Sequence, residues 1–203
     1  PNCLSPLRVT NCLADGTIQN LIRIAIDGAG WHAGPNEAFI VFTAPGEQVC
    51  AGPLNCFPGS ACAYHHSFST GFFGPGTEVI YAMEPYLGSD CAVPSQPSFQ
   101  SQDTATEIDS AGHEFIEAVT DPLGDAWYGI GGNATDEIAD KCQAPSQSIP
   151  NPGRDIQFLN SHYYILQREW SNSAGSCVAD LPPGAPTSAS ATASLATATV
   201  TWT

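Results

Sequence analysis

The sequence predicts an α+β fold in which a twisted sheet packs against one prominent helix and disulfides stabilise the whole. Three observations lead to this expectation. Short β-branched segments alternate with clusters of Gly and Pro, one long segment has helical periodicity, and the chain contains 8 Cys. With 203 residues and 42% hydrophobic residues, the chain is long enough to bury one sizeable core.

The strands are predicted from β-branched segments with partial alternation of apolar and polar residues. Residues 18–27, 38–43 and 78–83 show this pattern, and turn-forming clusters such as Gly28-Ala29-Gly30 separate them. A late strand is predicted over residues 163–169. Together these segments predict a sheet of about four or five strands.

The main helix is predicted to begin near residue 104 or 106 and to end near residue 119. Asp103, Thr104 and Thr106 are all suitable N-cap residues, and Asp121-Pro122 ends the helical pattern. A short second helix is predicted over residues 135–142. The apolar face of the main helix is expected at Ile108, Ala111, Phe115, Ala118 and Val119.

The charge of the chain is strongly negative, because 5 Lys and Arg stand against 20 Asp and Glu, for a formal net charge of −15. A protein that neutralises phosphates needs the opposite balance, so nucleic acid is excluded as a partner. The same acidity suits cation binding, although its most common meaning is a solvated surface.

The 8 Cys predict disulfides, since no Cys-x-x-Cys pair indicates a zinc ribbon or a redox site. Disulfides persist in oxidising compartments, so we expect an extracellular protein from which a secretion signal has been removed. Proximity in sequence suggests the pairs Cys3–Cys12 and Cys142–Cys177. No apolar run approaches the roughly 20 residues that span a bilayer, so no membrane association is expected.

The composition changes after Asp180, and we expect one main domain over residues 1–180. Residues 181–203 are rich in Ser, Thr, Ala and Pro, a composition typical of a disordered linker. The alternation of Thr199-Val200-Thr201-Trp202 also resembles the opening strands of a fibronectin type III module, of which too little follows to close a sandwich.

The candidate site is His113-Glu114-Phe115-Ile116-Glu117 on the main helix. Residues four apart lie on one helix face, so His113 and Glu117 can bind the same metal ion. Glu114 lies about 100° around the helix, the position of the glutamate that acts on water in His-Glu-x-x-His enzymes. The departure is that Glu117 stands where those enzymes have a second histidine.

Two alternatives to a zinc site follow from these residue types. A solvated helix surface accounts for many His-Glu-x-x-Glu sequences, because both residues are ordinary on helix surfaces. Carboxylate ligands also suit harder ions such as calcium. A tetrahedral zinc site needs a third protein ligand and an open position, and the acidic residues of Asp136-Glu137-Ile138-Ala139-Asp140 are candidates.

The spacing between Glu117 and Glu137 resembles that between the motif helix and the ligand glutamate of thermolysin-like gluzincins. This resemblance implies a zincin-like fold, in which Glu137 is the third zinc ligand and Asp140 supports His113 from outside the coordination shell. The roles of Glu137 and Asp140 could also be exchanged.

A second resemblance covers residues 38–178 and rests on an ordered series of sequence blocks. These blocks are Ala-Gly-His-Glu-Phe-Ile-Glu-Ala-Val-Thr-Asp-Pro, Ala126-Trp127-Tyr128, Glu-Ile-Ala-Asp-Lys-Cys over residues 137–142, and Gln-Arg-Glu-Trp-Ser-Asn over residues 167–172. The series resembles a family of secreted bacterial and fungal proteins that carry a His-Glu-x-x-Glu motif. It is also similar to the plant EXORDIUM-like, or phosphate-induced, proteins.

Several other residues are weaker candidates for the site. His65 and His66 alternate along a predicted strand, so one of them would face the cleft as a ligand or substrate contact. Tyr128 and Tyr163 could donate to a tetrahedral intermediate, although packing beside the helix is the more common role of tyrosine. Asp121 is interpreted as a cap of the helix end, with calcium binding as the alternative.

The sequence as a whole therefore predicts a secreted, monomeric zinc endopeptidase that acts on polypeptides, with Glu114 as the general base. Zinc would be held by His113, Glu117 and Glu137. The alternative is a non-catalytic cell-wall or carbohydrate-binding module that holds a structural calcium or no metal. A serine hydrolase is not favoured, because the sequence lacks a Gly-x-Ser-x-Gly elbow.

Overall fold

The computed structural model describes most of the chain between residues 11 and 202. The described ranges are 11–52, 55–59, 61–71, 77–88, 91–93, 99–129, 136–143, 153–179, 189–193 and 198–202. The helices are α1 (Asp15–Ala29), α2 (Gln102–Thr120) and α3 (Asp140–Gln143). The strands are β1 (Asn11–Ala14), β2 (Ala38–Phe42), β3 (Glu47–Gly52), β4 (Asn55–Phe57), β5 (Tyr64–Ser69), β6 (Glu78–Glu84), β7 (Arg154–Leu159), β8 (His162–Gln167), β9 (Glu169–Ser171), β10 (Ser176–Val178), β11 (Ala189–Ala193) and β12 (Ala198–Trp202).

The α+β class is confirmed, but the strands are divided among small sheets instead of forming one sheet of four or five strands. One three-stranded sheet has the order β1-β3-β4 and another has the order β2-β6-β5. In each, one pair is parallel and one antiparallel. Two-stranded antiparallel pairs β7-β8, β9-β10 and β11-β12 complete the described strands.

The strand predicted over residues 18–27 is wrong, because these residues lie within helix α1. Ile18, Ile22 and Ile26 are spaced by four and are all buried, as expected for one stripe of a helix. The intervening Leu21 and Ile24 are 49% and 58% exposed. The β-branched composition favoured a strand, whereas burial of this stripe decides for the helix.

The apolar core lies between α1 and the two three-stranded sheets. The buried stripe of α1 packs with Val49 of β3, Phe68 of β5 and three residues of β6, Val79, Tyr81 and Met83. The strands predicted over residues 38–43 and 78–83 are confirmed as β2 and β6. Strand β6 lies at the centre of its sheet and contacts α2 as well, so it links the core to the candidate site.

Helix α2 confirms the predicted main helix with earlier bounds. Its N-cap is Ser101, whose hydroxyl accepts from the backbone N–H of Thr104, so none of the three proposed caps is used. At the other end, the Asp121 carboxylate accepts from the backbone N–H groups of Asp125 and Ala126 at 2.7 Å each. Asp121 is the C-cap residue of α2 through its backbone N–H, which donates to the carbonyl of Glu117, whereas its carboxylate accepts from residues beyond the helix.

The predicted apolar face of α2 is right only in part, because Ala118 is buried whereas Ile108 and Ala111 are half-buried. Phe115 and Val119 are 48% and 58% exposed. The buried face carries Ala105, Thr106, Asp109, His113, Glu114, Glu117 and Ala118. Charged residues are rarely buried unless they are paired or bind a ligand. The helix therefore turns its polar side into the protein.

The short helix predicted over residues 135–142 is present only as α3, which begins at Asp140. Residues 136–139 form bends and turns, and residues 130–135 lie outside the described part of the chain. The late strand predicted over residues 163–169 corresponds to β8 and the start of β9.

Three disulfides link described residues: Cys50–Cys56, Cys62–Cys91 and Cys142–Cys177. The prediction of the last pair is confirmed. The predicted pair Cys3–Cys12 involves Cys3, which lies outside the described residues. No described helix is both long and apolar enough to cross a membrane.

The C-terminal segment contributes one described feature, the antiparallel pairing of β11 with β12 from Ala189↔Trp202 to Ala193↔Ala198. Residues 180–188 and 194–197, which include most of the predicted linker, lie outside the described residues. The division into residues 1–180 and 181–203, with the start of a fibronectin type III-like module, stays a prediction.

Candidate metal centre

Helix α2 places His113, Glu114 and Glu117 on its buried face. Their exposed fractions are 9%, 5% and 3%. His113 and Glu117 are one turn apart, and the Nε2 atom of His113 lies 3.2 Å from Oε1 of Glu117. The prediction that this pair shares one helix face is confirmed, and the alternative of a solvated helix surface is excluded by the burial.

Strand β5 brings His65 to two of these side chains, Glu114 and Glu117. Side chains alternate along the strand, so His65 faces α2 while His66 is exposed and stacks beside Tyr81. The Nδ1 atom of His65 lies 3.5 Å from Oε2 of Glu114 and 3.6 Å from Oε2 of Glu117. His65, His113, Glu114 and Glu117 therefore form one cluster of side chains. The alternation of side chains along the strand predicted that one of the two histidines, His65 or His66, would face this site.

Residues 136–143 fold back against α2 and add two carboxylates. The backbone N–H of Asp140 donates to Oε1 of Glu117 at 3.1 Å, which fixes this segment to the helix. Asp140 Oδ1 lies 3.5 Å from Nε2 of His113, and Glu137 Oε1 lies 3.6 Å from Nε2 of His65. Both predicted acidic residues thus reach the cluster, each beside a different histidine.

A hydrogen bond on the far side of each imidazole orients its ring. Gln167 Oε1 of β8 lies 3.2 Å from Nδ1 of His113, and the backbone carbonyl of Asp121 lies 3.2 Å from Nε2 of His65. Both acceptors require N–H at these ring positions, which leaves Nε2 of His113 and Nδ1 of His65 as the free nitrogens. Such hydrogen bonds are typical of metal-ligating histidines.

Gln167 therefore occupies the orienting position that the gluzincin resemblance assigned to Asp140. Its side-chain amide also donates to the backbone carbonyl of Ala139 at 2.5 Å, so it connects His113 to residues 136–143. Sequence reasoning missed Gln167, because a glutamine near the end of a strand carries no signal of this role. Asp140 instead lies beside the free nitrogen of His113, where a ligand would lie.

The distances between donor atoms match those of a coordination shell. The five N···O separations range from 3.2 to 3.6 Å, longer than charge-assisted hydrogen bonds of about 2.7–2.9 Å. Ligands at about 2.0–2.1 Å from a tetrahedral zinc ion are about 3.3 Å apart. Groups of these residues could therefore hold a metal ion, by donor type and by spacing.

The pKa values in the cluster are shifted because its histidines and carboxylates interact strongly with one another. Burial alone would lower the pKa of His65, but Glu114 and Glu117 raise it to about 10. The pKa of His113 is also raised, because Asp140 and Glu117 outweigh the effect of burial. Burial would raise the pKa of Glu117, whereas His113 and His65 lower it to about 2. Without a cation, the histidines hold protons in its place.

Two further carboxyls have raised pKa values because they are buried among other acidic groups. Burial and Glu117 raise the pKa of Glu137 to about 7. Burial and Glu114 raise the pKa of Glu84 to about 8, an effect that Ser110 partly offsets. Glu84 lies on β6, is fully buried and was not predicted as a site residue. The end of a β-branched strand gave no sign that this side chain points toward α2.

The remaining candidates lie elsewhere. His32 and His162, for which the sequence favours a structural role, are both exposed. Tyr163 is 55% exposed and packs against Phe99 and Phe158. Tyr128 interacts through its hydroxyl with Asp121, which raises the pKa of Tyr128 to about 12.

A cavity of about 550 Å³ opens onto the cluster, and its lining includes His65, His113, Glu114, Glu117, Glu137 and Asp140. A bound ion here would be accessible to a ligand from solvent. In comparisons with known proteins, no family model, curated protein or solved structure matches the chain. The His and Glu groups of this cluster could hold a metal ion, and its chemistry is the basis for assigning a function.

Proposed function

We propose that this protein is a secreted, metal-dependent peptidase, with zinc as the preferred ion. The observation that carries the proposal is the buried polar face of α2, which presents His113, Glu114 and Glu117 to a cavity. A merely structural helix would turn its apolar residues inward. Perturbed, buried ionisable groups that line a cleft are typical of active sites.

We assign His113, Glu117 and Asp140 as the ligands, because the free Nε2 atom of His113 lies against carboxylate oxygens of both acidic residues. Glu114 also has a donor within 4.8 Å of those of His113 and Glu117, and we reserve it for the base. The contacts of His113 favour the exchanged assignment, in which Asp140 is a ligand and Glu137 lies beside His65. One histidine and two carboxylates are compatible with zinc, whose catalytic sites use three protein ligands and one open position. When bound, the ion lowers the pKa of water and polarises a carbonyl.

Glu114 would act as the general base. Its side chain follows His113 on the helix and lies in the cavity, where burial raises its pKa and His65 lowers it. A carboxylate with a raised pKa accepts a proton from water more readily near neutral pH. Glu114 would take this proton during attack on a peptide carbonyl and pass it to the nitrogen of the leaving amine.

The zincin-like fold, the relation to secreted His-Glu-x-x-Glu proteins and the polypeptide substrate belong to the same proposal. They are supported by the motif on α2 and by the placement of an acidic segment against it. An extracellular location is supported by the three described disulfides. We expect the active form to be a monomer, because the chain supplies all the proposed groups itself.

The test is the substitution Glu114→Gln, which preserves the shape of the side chain and removes the base. We expect zinc content equal to that of the wild type, with peptide hydrolysis lower by about 10² to 10⁴-fold. Hydrolysis is measured on a mixed peptide library by mass spectrometry, and zinc by elemental analysis. The matched control is Glu107→Gln, on the same helix.

Two outcomes of this experiment would contradict the proposal. Hydrolysis within about threefold of the wild type would show that Glu114 is not the base, since that loss is far below a general-base effect. Loss of zinc from Glu114→Gln would instead make Glu114 a ligand. Glu107 accepts from the backbone N–H of Leu87, so its variant controls for a general effect on α2.

The second candidate function is a non-catalytic binding module with a structural calcium ion. It is favoured by the excess of carboxylates over imidazoles in the cluster, since calcium takes six to eight oxygen ligands. Two histidines with free nitrogens favour zinc over calcium. Competition between zinc and calcium for the metal-free protein, followed by calorimetry, distinguishes the two candidates.

A further inference from the structure

The donor atoms around the cavity form two groups that share one residue. Among the described residues, one group of mutually close donors is His113, Glu114 and Glu117, and the other is His65, Glu117 and Glu137. The donors of each group lie within 4.8 Å of one another. The two histidines belong to different groups, so an ion at His113 leaves the group around His65 without one.

Glu117 has the orientation of a bridging carboxylate. Its Oε1 atom lies 3.2 Å from the free Nε2 of His113, and its Oε2 atom lies 3.6 Å from the free Nδ1 of His65. Each oxygen thus faces a different imidazole. In two-metal sites the ions are about 3.5–4 Å apart, a separation that the two oxygens of one carboxylate can span.

Glu137 supplies an independent indication of a second ion. Its side chain is 7% exposed, and its Oε1 atom is buried without a hydrogen-bond partner within the described part of the chain. The same atom lies 3.6 Å from Nε2 of His65, the nitrogen that also faces the backbone carbonyl of Asp121. A donor oxygen of Glu137 lies within 4.8 Å of donors of both His65 and Glu117, so the carboxylate points into the cluster. A buried carboxylate oxygen without a partner is costly, and a cation would satisfy it.

The formal charge of the cluster also exceeds what one ion can balance. Glu114, Glu117, Glu137 and Asp140 surround two imidazoles that are neutral when they act as ligands. When all four are ionised, these carboxylates carry a formal charge of −4, so one divalent ion leaves −2 in a largely buried site. A second divalent ion removes this uncompensated buried charge, which is otherwise strongly destabilising.

We propose that His65, Glu117 and Glu137 form a second divalent-cation site, bridged by Glu117 to the ion at His113 and Asp140. This inference deepens the proposed function and rests on it for the first ion. The mixed nitrogen and carboxylate donors suit a borderline cation such as zinc, with manganese or cobalt as substitutes. The centre is then dinuclear, and Glu137 is a ligand of its second ion.

The experiment counts bound zinc. The full chain is stripped with a chelator, reloaded with zinc, desalted and analysed for metal and protein. We expect two equivalents in the wild type and one in both His65→Ala and Glu137→Gln, while Asp136→Asn keeps two. Asp136 is the matched control because it neighbours Glu137 and pairs with Lys141 outside the cluster. The manganese-loaded wild type should show an exchange-coupled electron paramagnetic resonance spectrum.

One equivalent in the wild type, unchanged in His65→Ala and Glu137→Gln, would overturn the second site, as would uncoupled manganese. The wild-type count and spectrum decide the question even if a variant fails to fold, which circular dichroism reveals. The proposed function is judged separately. Two equivalents of zinc without peptide hydrolysis would refute the peptidase and keep the dinuclear centre. One equivalent of zinc with Glu114-dependent hydrolysis would keep the peptidase and refute the dinuclear centre. A wild type that binds no zinc would refute both the zinc peptidase and the dinuclear centre.

Discussion

The orientation of each histidine depends on a single hydrogen-bond acceptor. For His113 the acceptor is the Oε1 atom of Gln167, and for His65 it is the backbone carbonyl of Asp121. Gln167 is 3% exposed, so water cannot readily replace it. The backbone carbonyl cannot be removed by substitution, which makes Gln167 the residue at which the orienting effect can be tested.

We expect Gln167→Leu to weaken zinc affinity by about 10 to 100-fold, because the variant keeps the volume and loses the acceptor for Nδ1 of His113. Gln167→Glu keeps the acceptor for Nδ1 of His113 but loses the donor to the carbonyl of Ala139, so it should restore the affinity only in part. Both are measured by competition with a chromophoric chelator at fixed pH. Equal affinities in the wild type and Gln167→Leu would show that Gln167 only packs against His113.

At the scale of secondary-structure elements, the sequence predicted that the site residues share one face of α2. It did not predict that this face is buried. The spacing of His113 and Glu117 indicated a shared helix face, and this followed from helical geometry alone. Which face of α2 is buried depends on β5, β6 and β8, elements that contact the helix from distant parts of the chain. The sequence of α2 gave no sign that Phe115 is exposed and Glu114 buried.

Two other predictions had different outcomes. The strand predicted over residues 18–27 is wrong, and the predicted disulfide Cys142–Cys177 is confirmed. The strand signal of residues 18–27 is local, whereas the decision between strand and helix came from packing against Val49 and Tyr81. The disulfide was predicted only from the proximity of Cys142 and Cys177 in the sequence. Cys177 lies on β10, which pairs with β9, and β9 contacts α3.

The Cys142–Cys177 disulfide should support the metal site as well as the fold. Removing it by Cys142→Ala/Cys177→Ala opens a loop of 35 residues, for an expected loss of roughly 3 to 4 kcal/mol of unfolding free energy. Zinc affinity should also fall, since Asp140 is two residues from the disulfide. Urea unfolding and chelator competition measure the two effects.

The matched control is Cys62→Ala/Cys91→Ala, which opens a loop of 29 residues and removes two cysteines that line the cavity. By loop length, its stability loss should be similar. Zinc affinity at the His113 site should change less, because neither cysteine is close in sequence to His113, Glu117 or Asp140, although Cys62 precedes His65 by three residues. Equal losses of zinc affinity in both double variants would refute a specific effect on residues 136–143.

For the whole molecule, the raised pKa values in the cluster link stability to pH. His65 titrates near 10 when folded, against 6.5 in the unfolded chain, so it stabilises the fold below pH 6.5 and loses this effect as pH rises. Glu84 and Glu137 titrate near 8 and 7, above their ordinary value of 4.5, and act in the same direction. Glu117, with a pKa of about 2, contributes constantly above pH 5.

The metal-free protein should therefore become less stable as pH rises from 5.5 to 8, because its folded state binds more protons than the unfolded chain. Each extra proton corresponds to about 1.4 kcal/mol per pH unit. Zinc requires deprotonated ligands, so it binds more tightly at high pH and should offset this loss. Urea unfolding at several pH values measures the stability of the metal-free protein when a chelator is present. The same measurement with saturating zinc gives the stabilisation by the metal. Metal-free stability that rises over this range would contradict the linkage, and a zinc effect independent of pH would contradict ligation by the histidines and carboxylates of the cluster.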